Sequence, residues 1–129
     1  MDYSKLSDNE IAAKVLIAQG YKLIDDGYGY SIYISDSGRK DIGPKSSRQF
    51  VFDPCNNAAD AWPIIFKNLI GIEPLYEFDD EDEETSGGIH PDGEWEACHV
   101  RNNGIAFRSE HGNPLRAAMI VYLMMQGDE

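Results

Sequence analysis

Apolar residues near the start of the chain recur at the spacing of one helix face. The stripe lies within LSDNEIAAKVLIAQGY and consists of Ile11, Ala12, Val15, Leu16 and Ala18. Ser7 precedes the stripe as an N-cap, and Glu10 follows three residues later, where its side chain completes a capping box. Gly20 stands where a residue with positive φ commonly ends a helix. The pattern predicts a helix that packs on the core through one face.

A second helix is predicted at the end of the chain, where apolar residues surround the helix axis. In GNPLRAAMIVYLMMQGDE, Asn113 suits the N-cap, Pro114 suits the first helical position and Gly127 ends the run. A helix that is apolar on all sides is covered either by its own domain or by a second subunit, so we expect a homo-oligomer. The apolar run 117–125 is much shorter than the roughly 20 residues that span a bilayer, and no membrane contact is expected.

The segment DPCNNAADAWPII, residues 53–65, gathers a cysteine, two asparagines and a tryptophan ahead of a proline. Asn57 is placed to cap a third helix that runs to about Ile70, where Gly71 stops it. The predicted buried stripe of this helix is Trp62, Ile65, Phe66 and Leu69. Two interpretations stay open. Asn57 and Trp62 serve capping and packing, or they form the rim of a ligand pocket at the helix N-terminus.

Between the helices, apolar and polar residues alternate as they do in strands. Two such runs flank Asp26-Gly27, which predicts a hairpin whose one face carries Tyr28, Tyr30, Ile32 and Ile34. RQFVFD and EPLYEF predict two further strands, and EWEACHVRNNGIAFRSE predicts a second hairpin that turns at Asn103-Gly104. These elements predict a single domain over residues 1–129 with an α+β fold, in which about three α-helices pack on an antiparallel sheet.

The second hairpin separates apolar from cationic side chains. A two-residue turn pairs Val100 with Phe107 and His99 with Arg108, so Cys98, Val100, Ile105 and Phe107 form an apolar face. The opposite face then carries Trp95, His99, Arg101 and Arg108. Guanidinium groups beside an indole suit the phosphate and base of a nucleotide, and this face is the predicted ligand site. Alternatively, these cations offset the acidic segment, and a shifted register would scramble both faces.

The charge of the chain is strongly negative and unevenly distributed. The formal net charge is −12, which argues against duplex nucleic acid as a partner because Lys and Arg supply most of the affinity for phosphates. Much of this charge lies in EFDDEDEE, which predicts a solvated acidic loop at about residues 78–88. The alternative for this run is a mimic of DNA that occupies a basic host protein.

Residues that could perform chemistry show no catalytic or metal-binding spacing. Two cysteines, Cys55 and Cys98, are too few for a disulfide framework, and no secretion signal opens the chain, so a reduced cytoplasmic protein is expected. The histidines and cysteines lack zinc-ligand spacing, and we predict no metal and no cofactor. Without a nucleophile elbow or a paired-carboxylate motif, a non-enzymatic protein is the favoured interpretation, although a hydrolase of scattered Glu and His residues stays open.

The blocks MDYSKLSDNEI, DPCNNAADAWPII and NPLRAAMIVYLMMQ resemble, over nearly the full length, the NinX-like family of small proteins carried by tailed phages of enteric bacteria. The chain departs from the family pattern at Ala58, where Asn-Asn-Pro-Ala-Asp is common. A looser resemblance links AADAWPII and the C-terminal apolar helix to phage ABA-sandwich proteins, in which helices flank an antiparallel sheet. Some of those proteins resemble sponges that sequester cyclic nucleotide immune signals, and no binding residue is carried over by motif.

The resemblance and the residues together predict a phage accessory protein in the cytoplasm of the bacterial host. Its expected role is counter-defence through binding a small nucleotide-like signal, and the expected site residues are Trp95, His99, Arg101, Arg108, Asn57 and Trp62. The alternative function is an acidic inhibitor that binds a host protein.

Overall fold

The computed structural model describes residues 2–46, 48–78 and 89–127. Nearly all of the acidic loop predicted at about 78–88 lies outside these residues. The described part contains three α-helices and six strands, which confirms the predicted α+β class. The strands form two three-stranded antiparallel sheets rather than one sheet.

The three helices begin where the sequence predicts. A 3-10 turn over Tyr3–Lys5 leads into α1, Asp8–Ala18, and the later helices are α2, Ala58–Lys67, and α3, Pro114–Met125. Their N-caps are Ser7, Asn57 and Asn113, and both bonds of the predicted capping box of α1 are present. Local capping chemistry thus sets all three helix starts.

The first sheet contains β1, Lys22–Gly27, β2, Tyr30–Ser35, and β3, Gly38–Ile42, in that spatial order. The second sheet contains β4, Gly71–Phe78, β5, Ile89–Val100, and β6, Ala106–His111. Because β5 lies in the middle of the second sheet, β4 is an edge strand. An edge position tolerates the missing N–H of Pro74.

The first hairpin turns two residues later than predicted. Tyr28 and Gly29 both have positive φ, at 56° and 86°, whereas Gly27 remains in β1 and pairs with Tyr30. Two consecutive positive-φ residues are the requirement of a tight hairpin turn, and Tyr28-Gly29 meets it here. Tyr30, Ile32 and Ile34 alternate along one face of β2 as predicted, whereas Tyr28 lies in the turn instead of on that face. The buried side chain of β2 is Tyr33, on the other face.

The segment RQFVFD does not form a strand, contrary to prediction. It contacts β3 through a single parallel bridge between Val51 and Asp41. Asp41 donates its backbone N–H to Phe50 and accepts from the N–H of Phe52. The buried carboxylate of Asp41 also binds the Arg39 guanidinium through two bonds of 2.8 Å. The backbone of one buried aspartate thus holds this segment to β3, and the carboxylate of the same residue is bound within β3 by Arg39.

Helix α3 forms the centre of the molecule. It contacts all three strands of the second sheet on one side and both α1 and α2 on the other. Every residue from Arg116 to Leu123 is buried. Its own chain therefore covers this helix, which was the first of the two predicted explanations for its apolar surface. Association into a homo-oligomer stays a prediction, and α3 no longer provides the reason for it.

Helix α2 buries Ile65 as predicted, but the other three residues of the predicted stripe are exposed. Ala61, Ile64 and Ile65 face the core, whereas Trp62 is 49% exposed, Phe66 63% and Leu69 79%. The predicted burial of Trp62 is wrong because α3 covers the opposite side of the helix. The helix also ends at Lys67, and Leu69 takes the positive-φ position that follows the cap, with φ of 54°.

The N-terminal ends of all three helices meet at the loop that precedes α2. Asn113 at the start of α3 donates to the carbonyl of Cys55 at 2.6 Å, and Asn56 donates to Asp8 at the start of α1 at 2.9 Å. The opposite ends also meet, since Gln19, Asn68 and Gln126 line a common groove. The helices therefore run side by side in the same direction. We call residues 53–57 the hub loop.

Arg116 of α3 is a buried cation that binds the start of α1 and the residues before it. Its guanidinium donates to Asp8 at 2.7 Å and to the carbonyl of Leu6 at 2.6 Å. Longer bonds reach the carbonyls of Ser4 at 3.3 Å and Tyr3 at 3.5 Å. The bond from Asn56, together with the bond and charge of Arg116, lowers the pKa of Asp8. The carboxylate also suits the positive end of the α1 dipole.

The contacts of the hub loop lead to a prediction about two asparagines that cap helices. The Asn57 side chain accepts from Ala59, whereas Asn113 caps α3 and also donates to Cys55. We expect Asn57→Asp to change the free energy of unfolding by less than about 0.5 kcal/mol, because Asp caps as well as Asn. Asn113→Asp should cost about 1–3 kcal/mol, because it removes the donor and leaves a buried carbonyl unpaired.

Urea unfolding of both variants and the wild type measures this difference. The two substitutions make the same chemical change at two helix caps, so each is the control for the other. Equal stabilities would contradict the role given to the bond between Asn113 and Cys55.

Candidate functional site

The register of the second hairpin decides which predicted site residues meet. The loop contains three residues, Asn102 to Gly104, and Arg101 donates its backbone N–H to the carbonyl of Ile105. Gly104 has φ of 87°, as expected when a tight turn is followed by a left-handed residue. Strand pairing then joins His99 to Phe107. The predicted pairing of Val100 with Phe107 is wrong by one residue.

This shift moves one of the four predicted residues to the other face. Trp95, His99 and Arg101 alternate along the face that includes the buried Ala97, beside α3. Arg108 pairs with Cys98 on the opposite face, where its guanidinium binds Glu96 at 2.9 Å. The predicted site of two arginines, a histidine and a tryptophan on one face is therefore wrong.

The predicted apolar face is divided by the same shift. Phe107 packs against the core, whereas Val100 is 56% exposed and Ile105 is 52% exposed. Side chains of β5 alternate between the two faces of the sheet. A shift of one residue in pairing therefore changes which side chains of β5 and β6 lie on the same face.

His99 and Arg101 do come together at an open groove of about 510 Å³ at the end of the hairpin. We call it the hairpin groove, and its lining consists of Leu69, His99, Val100, Arg101, Asn102 and Asn103. A volume of this size lies within the range of small-molecule sites. The groove thus combines two nitrogen-rich side chains, two amides and two apolar residues.

The guanidinium of Arg101 is fixed before any ligand arrives. Its Nη2 donates to the carbonyl of Met125 at 2.9 Å, and the group lies 4.6 Å from the ring centroid of Phe107. A guanidinium carries five N–H donors in a planar fork, so one bond and one stacking contact orient the fork without occupying all of its donors. Arg101 is therefore a pre-oriented donor at the edge of the groove.

His99 is held from the side of α2. Its Nδ1 lies 3.3 Å from the carbonyl of Leu69, and because a carbonyl only accepts, the proton of this contact belongs to Nδ1. Leu69 has a left-handed backbone conformation that is costly for a residue with a branched side chain, and that side chain is largely exposed. Strain of this kind is often retained at binding sites.

The remaining predicted residues lie outside the hairpin groove. Trp95 precedes His99 by four strand residues, about 13 Å along β5, and pairs with His111. Asn57 is the cap of α2 in the hub, and Trp62 lies on the exposed side of α2 against Phe66. The capping interpretation of Asn57 is therefore the one the geometry supports.

Four residues of the groove are absent from the predicted site: Leu69, Val100, Asn102 and Asn103. The predicted two-residue turn contains Asn103 and leaves Asn102 in the strand, and the sequence pattern places Val100 on the apolar face and Leu69 in a buried stripe. The sequence carries a signal for the two amides. Asn102 and Asn103 stand directly before Gly104, and a three-residue hairpin loop that ends in a glycine with positive φ is a common alternative to a two-residue turn. For Leu69 no local signal existed, because its exposure depends on which side of α2 meets α3.

Cys55 has the surroundings of a structural cysteine. It is fully buried in the hub, and burial together with the charge of Asp8 raises the pKa of its thiol to about 12. Thiolate is the reactive form of cysteine, so this side chain is unsuited to nucleophilic chemistry near neutral pH.

Within residues 2–46, 48–78 and 89–127, no three His, Cys, Asp or Glu side chains are grouped to hold a metal ion. No described helix is long and apolar enough to cross a membrane.

The fold is that of a small α+β protein with an open groove at the end of its second hairpin, beside a layer of three helices. The family model described as bacteriophage P22 NinX matches residues 2–126. The chain therefore belongs to the NinX family of phage proteins. No curated protein matches it.

The burial of Cys55 predicts a large difference in thiol reactivity. In folded Cys98→Ser, the single remaining thiol should react with a disulfide reagent at pH 7 only as fast as the protein unfolds, because Cys55 is buried and protonated. In the matched variant Cys55→Ser, Cys98 should react faster, since it is only partly buried. Absorbance of the released thiol measures both rates. Equal rates in the two folded variants would contradict this assignment.

Proposed function

We propose that this phage protein is a non-catalytic binding protein that captures a small anionic, nucleotide-like ligand in the hairpin groove. The observation that carries the proposal is the meeting of His99 and a pre-oriented Arg101 with two amide side chains beside exposed apolar residues.

The groove offers each part of a nucleotide a suitable contact. The free edge of the Arg101 fork suits a phosphate, to which charge-assisted bonds are the strongest available. The amides of Asn102 and Asn103 donate and accept, as the edge of a base requires. Leu69 and Val100 present apolar surface for the base or the sugar. The expected ligand is therefore one or two nucleotides in size.

The charge of the chain favours a small ligand over a polymer. The net charge is −12, so a long polyanion would be repelled by the rest of the surface. A small ligand meets only the local field of the hairpin groove, where Arg101 supplies the positive charge. Duplex nucleic acid remains an unexpected partner for the same reason.

The biological role that fits is counter-defence in the cytoplasm of the infected host. Sequestering a nucleotide immune signal needs binding and no chemistry, and the weak resemblance to phage ABA-sandwich proteins points in the same direction. Membership of a phage family supports an accessory role of this kind.

Ligand capture by two arginine variants tests the proposal. Purified protein is titrated with cyclic dinucleotides, cyclic trinucleotides and ADP-ribose derivatives by calorimetry, and bound ligand is then released by heat and identified. We expect at least one ligand to bind and to be recovered intact. Arg101→Ala should weaken binding about 10- to 100-fold, the effect of one charge-assisted contact.

Arg108→Ala is the matched control. It removes an arginine from the same hairpin, but from the opposite face, where Arg108 binds Glu96. Its affinity should equal that of the wild type. Equal loss in both variants would place the site elsewhere, and conversion of the recovered ligand would reveal an enzyme.

The second candidate is an acidic inhibitor that binds a basic surface of a host protein, including the DNA-mimic form of that idea. The net charge of −12 is the observation that favours it, because such charge steers a protein toward cationic partners. Failure of every nucleotide to bind the wild type would favour this candidate.

A further inference from the structure

The outer face of α2 is apolar although nothing in the described chain covers it. This face consists of Ala58, Ala59, Trp62, Pro63 and Phe66, all exposed. The opposite side of the helix packs on α3. A helix that is apolar on both sides is normally buried on both sides. Helix α2, and not α3, therefore has an apolar surface that its own described chain leaves uncovered.

The large side chains of this face are organised. The rings of Trp62 and Phe66 meet edge to face, with centroids 4.8 Å apart and planes at 82°. Tryptophan and other aromatic residues are enriched at the centre of protein interfaces, where they carry much of the binding energy. The pair forms a ridge near the middle and end of α2.

The outer face of α2 has a shape that fits a second copy of itself. Small residues, Ala58 and Ala59, occupy its first turn, whereas Phe66 lies near its end. In an antiparallel pair of α2 helices with a two-fold axis near Trp62 and Pro63, Phe66 of one copy lies over Ala59 of the other. Each Phe66 then lies over a small residue of the other copy, twice by symmetry.

The charges beside the outer face fit the same arrangement. Asp60 lies in the first turn of α2 and Lys67 in the last, two helical turns apart on one flank. Antiparallel pairing brings Asp60 of each copy toward Lys67 of the other. It also opposes the two helix dipoles, which is favourable. A second copy supplies the matching steps in size and the opposite charges by symmetry.

We propose that the protein forms a symmetric dimer through the outer faces of two antiparallel α2 helices. This proposal does not depend on the function proposed above, because the hairpin groove is lined by other residues.

The test is sedimentation equilibrium of the full chain at about 0.15 M salt, over concentrations from about 1 to 300 μM. The wild type should approach twice the chain mass of 14.5 kDa. Phe66→Glu should raise the dimer dissociation constant at least about 30-fold, because it buries a carboxylate in the interface. Tyr28→Glu, at an exposed aromatic residue in the turn between β1 and β2, is the matched control and should leave the constant unchanged.

A second pair of variants tests the antiparallel geometry. Lys67→Arg keeps the charge and should dimerise as the wild type does. Lys67→Glu sets two pairs of acids against each other and should raise the dissociation constant about tenfold. Thermal melting of each variant confirms that α2 is folded.

A wild type that remains monomeric at every concentration would overturn the proposal. A Phe66→Glu variant that dimerises like the wild type would place the interface elsewhere, and equal behaviour of Lys67→Glu and Lys67→Arg would overturn the antiparallel arrangement. Arg101→Ala should leave dimerisation intact, so failure of the dimer and failure of ligand capture are separate results.

Discussion

The bond between the buried Arg116 and the partly exposed Asp8 is the interaction on which the helical layer depends. It joins residues 108 positions apart in the sequence, and the same guanidinium also binds carbonyls of the 3-10 turn and the residue that follows it. Removing a guanidinium from water is costly unless its donors are satisfied, so this arrangement requires the start of the chain, α1 and α3 to fit together at once. The hub loop completes the fit through Asn56 and the carbonyl of Cys55.

Because the hub fixes the N-terminal ends of α1, α2 and α3, the surfaces left for binding lie elsewhere. The hairpin groove is at the far end of β5, next to Leu69, which follows the last turn of α2. The apolar outer face of the same helix points away from α3. The segment 53–65, which looked like a site in the sequence, is thus mainly scaffold, and the helix that it starts carries an exposed face proposed as an interface.

Features determined by neighbouring residues could be predicted from the sequence, and features determined by distant contacts could not. Ser7, Asn57 and Asn113 cap their helices through bonds to residues two or three positions away, so their patterns were sufficient. The positions of the hairpin turns were harder to predict, because neighbouring pairs that contain glycine are alternative turn positions. A shift of one residue in strand pairing also exchanges the faces on which side chains lie. That shift moved Arg108 away from Arg101. The exposure of Trp62 depends on where α3 lies, which local spacing does not encode.

A double-mutant cycle on Asp8 and Arg116 tests the central claim most directly. Asp8→Ala, Arg116→Met, the double variant and the wild type are each unfolded in urea. The coupling energy is the change in the free energy of unfolding of the double variant minus the sum of the changes in the two single variants. We expect a coupling of about 1–3 kcal/mol, because either single change leaves a buried or half-buried charge without its partner. Effects that add to within about 0.5 kcal/mol would contradict the claim that this pair organises the helices.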